Sequence, residues 1–194
     1  MSGRPQFDES IVIAAAIDVF KQRGFAAASI SDLTEATGLS RSSLYQRFGD
    51  KDGLFREVLA AYTERVLQRM NSAQSGTARG RMEATLHAFI SDGSSKIAGC
   101  LIARSCSEIP ELSDGGTAAA RKGASIQREF LANIVRQGIA TGELAKDTDV
   151  DAMAWHYLGV LQAVSNFPKA GAGEAVIKRM IDVAMLAWPA PATN

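Results

Sequence analysis

Residues 37–55 read TGLSRSSLYQRFGDKDGLF, and the placing of glycine, serine and apolar groups in this stretch decides the fold class. Gly38 and Leu39 form a turn after a short helix of residues 30 to about 37, and Ser40 offers a side-chain cap for a second helix, 41–48. Gly49-Asp50 breaks that helix before a longer amphipathic stretch from 51 to about 70.

Two short helices joined by such a turn meet the description of a helix-turn-helix, whose second helix enters the DNA major groove. The sidedness of 41–48 strengthens this. At about 100° per residue, Leu44 and Phe48 share one face, which Leu39 joins from the turn, and that face packs on Ile17, Phe20, Ile30 and Leu33. Opposite lie Ser42 and Gln46, flanked by Arg41, Ser43, Tyr45 and Arg47. A solvated helix does not normally place a tyrosine there. Small hydroxyls at the helix start let the backbone approach a phosphate or a base edge, and Arg41 suits a bidentate contact to guanine. Lys51 opens the next helix, where a cation opposes the local dipole and a DNA phosphate offsets the cost. The plainer alternative is that Arg41, Arg47 and Lys51 are solvated charges and Tyr45 is half-buried.

Upstream, apolar positions from Ile11 to Phe20 follow helical spacing, with Asp8 as N-cap, Phe7 placed to staple on Val12, and a stop at Gly24. Ser29 and Asp32 make a capping box for the helix that begins at Ile30. Downstream, the Ser, Gly and Thr cluster of 71–80 is a connector, followed by longer helices over about 81–92, 99–108, 116–142, 150–167 and 174–188. No strand alternation is sustained anywhere. The expectation is an all-α fold of about nine helices, divided into a head of residues 1–50 and a bundle of 51–194.

With 194 residues and 46% hydrophobic content the chain can bury a real core. The opening MSGRPQFDES lacks the apolar segment of a secretory signal and no run of eighteen apolar residues occurs, so a cytoplasmic protein without a membrane span is expected. Two cysteines, Cys100 and Cys106, are too few for a disulfide framework. Basic and acidic residues balance at 21 each, and residues 1–60 hold seven of one and eight of the other. Nucleic-acid binding must therefore rest on local placement of charge.

The series Phe20, Gly24-Phe25, Ser29-Ile30, Thr37-Gly38, Leu44-Tyr45, Phe48, Lys51 and Leu54-Phe55 resembles the N-terminal DNA-binding domain of TetR-family transcriptional regulators. The resemblance implies a homodimer in which two recognition helices read a pseudo-palindromic operator in double-stranded DNA. It also implies a variable C-terminal bundle that dimerises and binds an effector. By position, Arg41, Ser42 and Tyr45 fall nearest base edges, and Ser31, Ser43, Gln46, Arg47 and Lys51 nearest the backbone. Gln46 and Arg47 depart from the family, which often has an aromatic or histidine there. Gly3-Arg4-Pro5 resembles a short basic arm that places Arg4 in a minor groove. In the mechanism so implied, an effector shifts the sixth helix, the fourth swings as a lever, and the two heads leave their spacing of about 34 Å.

The last two helices carry broad stripes of small and apolar residues, among them Ala152, Leu158, Gly159, Leu161, Val176, Ile177, Ile181 and Val183. Pairing with a second chain buries them as a two-fold four-helix interface; plain core is the alternative. The segment AGCLIARSCSEIPEL, residues 98–112, resembles the Gly-Cys run in the sixth helix of one TetR subgroup. Cys100 stands at the expected start of that helix, a position that favours a thiolate where it is accessible, and a thiol-reactive effector would use it. Cys106 does not share its face, and structural burial of both cysteines is the competing reading. A mostly apolar effector pocket is expected from Phe89, Cys100, Leu101, Arg104, Phe130, Ile134, Trp155 and Tyr157, with Arg104 or a tyrosine hydroxyl as polar anchor.

Catalytic motifs are missing: no nucleophile elbow, phosphate-binding glycine loop, HExxH or paired-cysteine spacing occurs, and only two histidines, His87 and His156, are present. Neither an enzyme, a cofactor nor a metal is expected. The functional expectation is a TetR-like regulator, a repressor released by a small molecule or electrophile. The alternative is an effector-independent helical interaction or architectural protein.

Overall fold

The computed structural model describes residues 8–90 and 99–189. Among them it is all-helical: α1 (Glu9–Ala27), α2 (Ile30–Thr37), α3 (Arg41–Phe48), α4 (Lys51–Ser72), α5 (Ala78–His87), α6 (Leu101–Ser107), α7 (Asp114–Ala140), α8 (Val150–Asn166) and α9 (Glu174–Ala184). Single 3-10 turns follow at Ile109–Glu111, Phe167–Ala170 and Met185–Ala187. Arg4 and Phe7 lie outside the described residues, so the arm and the staple expected of them do too.

Local chemistry sets most of the helix ends. Asp8 caps α1 by accepting from the Ser10 N–H at 2.9 Å. Gly24 breaks α1 at φ 81, ψ 179, after which one further turn carries the chain to Ala27. The Ser29–Asp32 capping box closes in both directions, at 2.9 Å and 3.1 Å. The connector ends earlier than its composition suggests, because Thr77 caps α5 through the Gly80 N–H at 3.0 Å. Glu143 seats both carboxylate oxygens on the same helix start, accepting from the Ala78 and Arg79 N–H groups at 2.8 and 2.9 Å.

Two compact units emerge, one from residues up to Glu64 together with Leu101–Gly123, the other from Arg65–Cys100 and the residues from Ala124 on. The first unit thus takes in α4 as far as Glu64, together with α6 and the start of α7. Its core holds Val12, Ile17 and Phe20 of α1, Leu33 of α2, Leu44 of α3, Leu54, Phe55 and Leu59 of α4, and Leu101 and Ile102 of α6. Phe55 sits between Phe20 and Phe25, with ring centroids 5.0 and 4.8 Å away. Truncating Phe20, which is fully buried, removes about 3–5 kcal/mol by the general cost of emptying an aromatic core site.

The second unit is built on Met82 and Leu86 of α5, Leu131, Ile134 and Val135 of α7, Tyr157, Leu158 and Leu161 of α8, Ile177 and Ile181 of α9, and Trp188. The Tyr157 and Trp188 rings meet at 6.1 Å. Apolar residues of the last two helices therefore sort into two faces. Ala154, Leu158, Leu161, Ile177 and Ile181 are core, while Ala152, Trp155, Gly159, Val176 and Val183 face outward, as does Leu186 in the 3-10 turn after α9.

Candidate nucleic-acid interface

The turn before α3 is made by Gly38, left-handed at φ 71, whose N–H bonds the Thr34 carbonyl at 3.0 Å and ends α2. Ser40 then starts α3 by accepting from the Ser43 N–H at 3.1 Å. Leu39, Leu44 and Phe48 are buried and hold α3 on the first unit's core. The opposite side carries Arg41, Ser42, Tyr45 and Gln46, all exposed. Tyr45 keeps 46% of its surface in solvent, with no apolar neighbour on its own face to justify an aromatic there.

Within this face the serines form a small network, Ser40 Oγ lying 2.8 Å from Ser42 Oγ and 2.9 Å from Ser43 Oγ. Arg41 donates to Ser31 Oγ at 2.8 Å, tying the start of α3 to α2. These residues from both helices of the motif are brought together as the sequence suggests. Such a surface offers a planar cation, hydroxyls and a phenol to base edges and phosphates.

Two of the residues expected at the DNA backbone have partners within the head itself. Arg47 is turned away into a double ion pair, donating to Glu9 at 2.7 and 3.0 Å and to Glu57 at 3.0 and 3.1 Å. Hydrogen bonds first to Glu9 and then to Glu57 raise its pKa further above the usual arginine range. Its charge braces α1, α3 and α4. Lys51 bends back to donate to the carbonyls of Phe25 at 2.9 Å and Ala28 at 3.1 Å, with Nζ 4.4 Å from the Phe25 ring centroid. The Lys51 charge is thus met, in the chain by itself, by carbonyls left over at the end of α1.

A second group of residues at that end was missed by sequence reasoning. Arg104 of α6 donates to the Arg23 carbonyl at 2.7 Å, and to the Gln22 and Lys21 carbonyls at 3.4 and 3.5 Å. Glu108 accepts from the Phe25 N–H at 2.6 Å and pairs with Arg104 at 3.1 Å. Gly24 lies under this clasp so closely that a Cβ would fall 1.9 Å from Glu108 Oε1. Only the oddity of Gly24 hinted at it; the partners lie some eighty residues away.

The eight residues expected to line an effector pocket divide between the two units. Leu101 is core of the first unit, and Arg104 of the same unit is engaged by α1. Trp155 is corrected from interior to exposed, at 54%, with the Arg128 guanidinium 5.7 Å from its ring. Phe89, Cys100, Phe130, Ile134 and Tyr157 do belong to the second unit. Ile134 and Tyr157 are buried in its core, and Phe89 and Phe130 lie half-buried beneath the guanidinium groups of Arg69 and Arg81. The Tyr157 hydroxyl has no hydrogen-bond partner among the described residues, and burial, opposed weakly by Arg79, pushes it up to about 12. Cys100 is buried and its N–H reaches Asn166 Oδ1 at 3.4 Å. Neither cysteine forms a disulfide.

Fold and site together define a helix-turn-helix DNA-binding regulator with a helical second unit. A family model described as bacterial regulatory proteins, tetR family, matches residues 12–58, and one described as tetracyclin repressor-like, C-terminal domain, matches residues 78–182. The chain belongs to the TetR family of transcriptional regulators. It is similar to the HTH-type transcriptional repressor ComR of Escherichia coli (strain K12), 27% identical over 194 residues that cover 96% of this chain and 92% of that protein. HTH-type transcriptional repressor NemR of the same strain is 30% identical over 125 residues, 60% of this chain and 61% of its own. Among solved structures, a cysteine mutant of the TetR family transcriptional regulator CifR, complexed with 26-bp double-strand operator DNA, aligns with a TM-score of 0.82 and 31% identity over 96% of this chain and all of that one. No described helix is long and apolar enough to cross a membrane.

Proposed function

We propose that this chain is a homodimeric repressor that reads a pseudo-palindromic operator with the outward face of α3 and is released by a small-molecule or thiol-reactive effector. One observation carries the reading: Arg41, Ser42, Tyr45 and Gln46 project together from a helix whose other side is locked into the core. Arg41, Ser42 and Tyr45 take the base edges. Ser31, Ser43 and Gln46 take the backbone, and Arg4 the minor groove. Arg47 and Lys51 act indirectly, by fixing the angle at which α3 is presented.

Dimerisation is assigned to the outward sides of α8, α9 and the turn after α9, where Trp155, Val176, Val183 and Leu186 are exposed. The operator complex of the similar regulator CifR supports DNA as the ligand. Selection of bound duplexes from random DNA tests the reading. Enrichment of a two-fold sequence with half-sites about one helical turn apart is expected. Enrichment of a single unrepeated motif, or of none, contradicts it. Operator binding indifferent to every oxidant, electrophile and hydrophobic ligand tried favours an effector-independent protein instead.

A further inference from the structure

α5 and α9 pack against each other in the second unit, and three metal-ligating side chains meet where they do. Glu83 and His87 stand four residues apart on α5 and so project from one face. Asp182 arrives from α9, and one ligand atom from each of the three lies within 4.8 Å of the other two. Glu83 and His87 are half-buried and Asp182 is exposed.

The pairing of charges here is incomplete. Other carboxylates are seated on guanidinium groups, as Glu9 and Glu57 are on Arg47 and Glu108 on Arg104. Glu83 has Arg79 at 3.3 Å, but neither the His87 ring nor the Asp182 carboxylate has a hydrogen bond or ion pair among the described residues. Two carboxylates brought together beside an imidazole repel one another, and a cation between them removes that repulsion.

We propose that Glu83, His87 and Asp182 form a binding site for a divalent first-row transition ion that clamps α9 to α5. One imidazole and two carboxylates are a borderline-hard donor set that suits zinc and its neighbours better than a soft monovalent ion, and calcium or magnesium would call for oxygen ligands alone. Zinc holds such ligands at about 2.0–2.2 Å, which puts neighbouring donors a little over 3 Å apart. Glu83 has a long side chain and Asp182 is exposed, which leaves both room to move toward a shared ion. Three protein ligands leave a fourth position for water. The histidine is neutral when bound, so acid competes with the ion. Because α9 also bears the outward Val176 and Val183, the clamp sets how that face is presented.

Isothermal titration of the metal-stripped full chain with zinc chloride at neutral pH, with magnesium chloride as comparison, tests the site. One zinc per chain and little magnesium binding are expected. H87A and D182N should each weaken zinc at least about tenfold, since even outer-shell partners of a metal ligand cost that much. Zinc should also slow amide exchange across residues 174–184 in the wild type but not in D182N. The Asp182 change is near-isosteric and exposed, so it keeps the test available if His87→Ala fails to fold. Absence of zinc binding, equal affinity in the variants, equal affinity for magnesium, or unchanged exchange in α9 overturns the proposal.

Discussion

Arg47 and Lys51 look alike in sequence, basic residues beside a reading helix, yet their side chains serve the head's own framework. Lys51 ties off two carbonyls at the end of α1. Charge-assisted bonds of this kind are worth about 1.5–3 kcal/mol each when a partner is stranded. Lys51→Met should therefore lower the urea-denaturation stability by about 1–3 kcal/mol, and an unchanged midpoint would return Lys51 to the role of a surface cation. Tyr45 is the converse case: with nothing to hold it, Tyr45→Ala should leave the melting temperature within a degree or so. The positions of Arg47 and Lys51 were legible, but their partners were not. Glu9, Phe25 and Ala28 approach only after α1 has folded across the head, which no local pattern records.

At the scale of elements, ends and joints carry the information. Capping at Ser29, Ser40 and Asp8 is contained within three residues of sequence and was legible for that reason. The clasp of Arg104 and Glu108 on the broken end of α1 depends on residues far apart in the chain and was not. Gly24→Ala forces a side chain into φ 81 and onto Glu108, so a loss of roughly 1–3 kcal/mol is expected in thermal or urea unfolding. A variant as stable as the wild type would mean the joint relaxes without cost. α5 is held at its other extreme by Glu143. Although burial opposes it, the Arg79 and Ala78 N–H groups bring its pKa below the ordinary 4.5. A group lowered in the folded state stabilises fully above its unfolded value and loses that contribution as pH falls through the folded one. Melting temperature should thus decline below about pH 4.5, and less steeply in Glu143→Gln. Parallel declines would show that other carboxylates dominate.

For the whole molecule, the all-helical fold was legible because every segment kept helical spacing, and the head was legible because its motif is compact. Which face of α8 is core was not, since Trp155 and Tyr157 both look like interior aromatics until the neighbouring helices are in place. Tyr157 is buried, whereas Trp155 is exposed, as is Leu186 at 79%. Leu186→Asp combined with Val183→Asp should shift the protein from the mass of two chains to that of one in light scattering, and with it abolish tight operator binding. A persisting dimer would place the interface elsewhere. The central claim is that two copies of the α3 face read the operator. Its most direct test is a fluorescence-anisotropy titration of the selected duplex with wild type and Tyr45→Ala, alongside a thermal melt of each. A base contact worth about 1–3 kcal/mol acts twice in a dimer, so affinity should fall at least about thirtyfold with folding unchanged. Full affinity in Tyr45→Ala would contradict it.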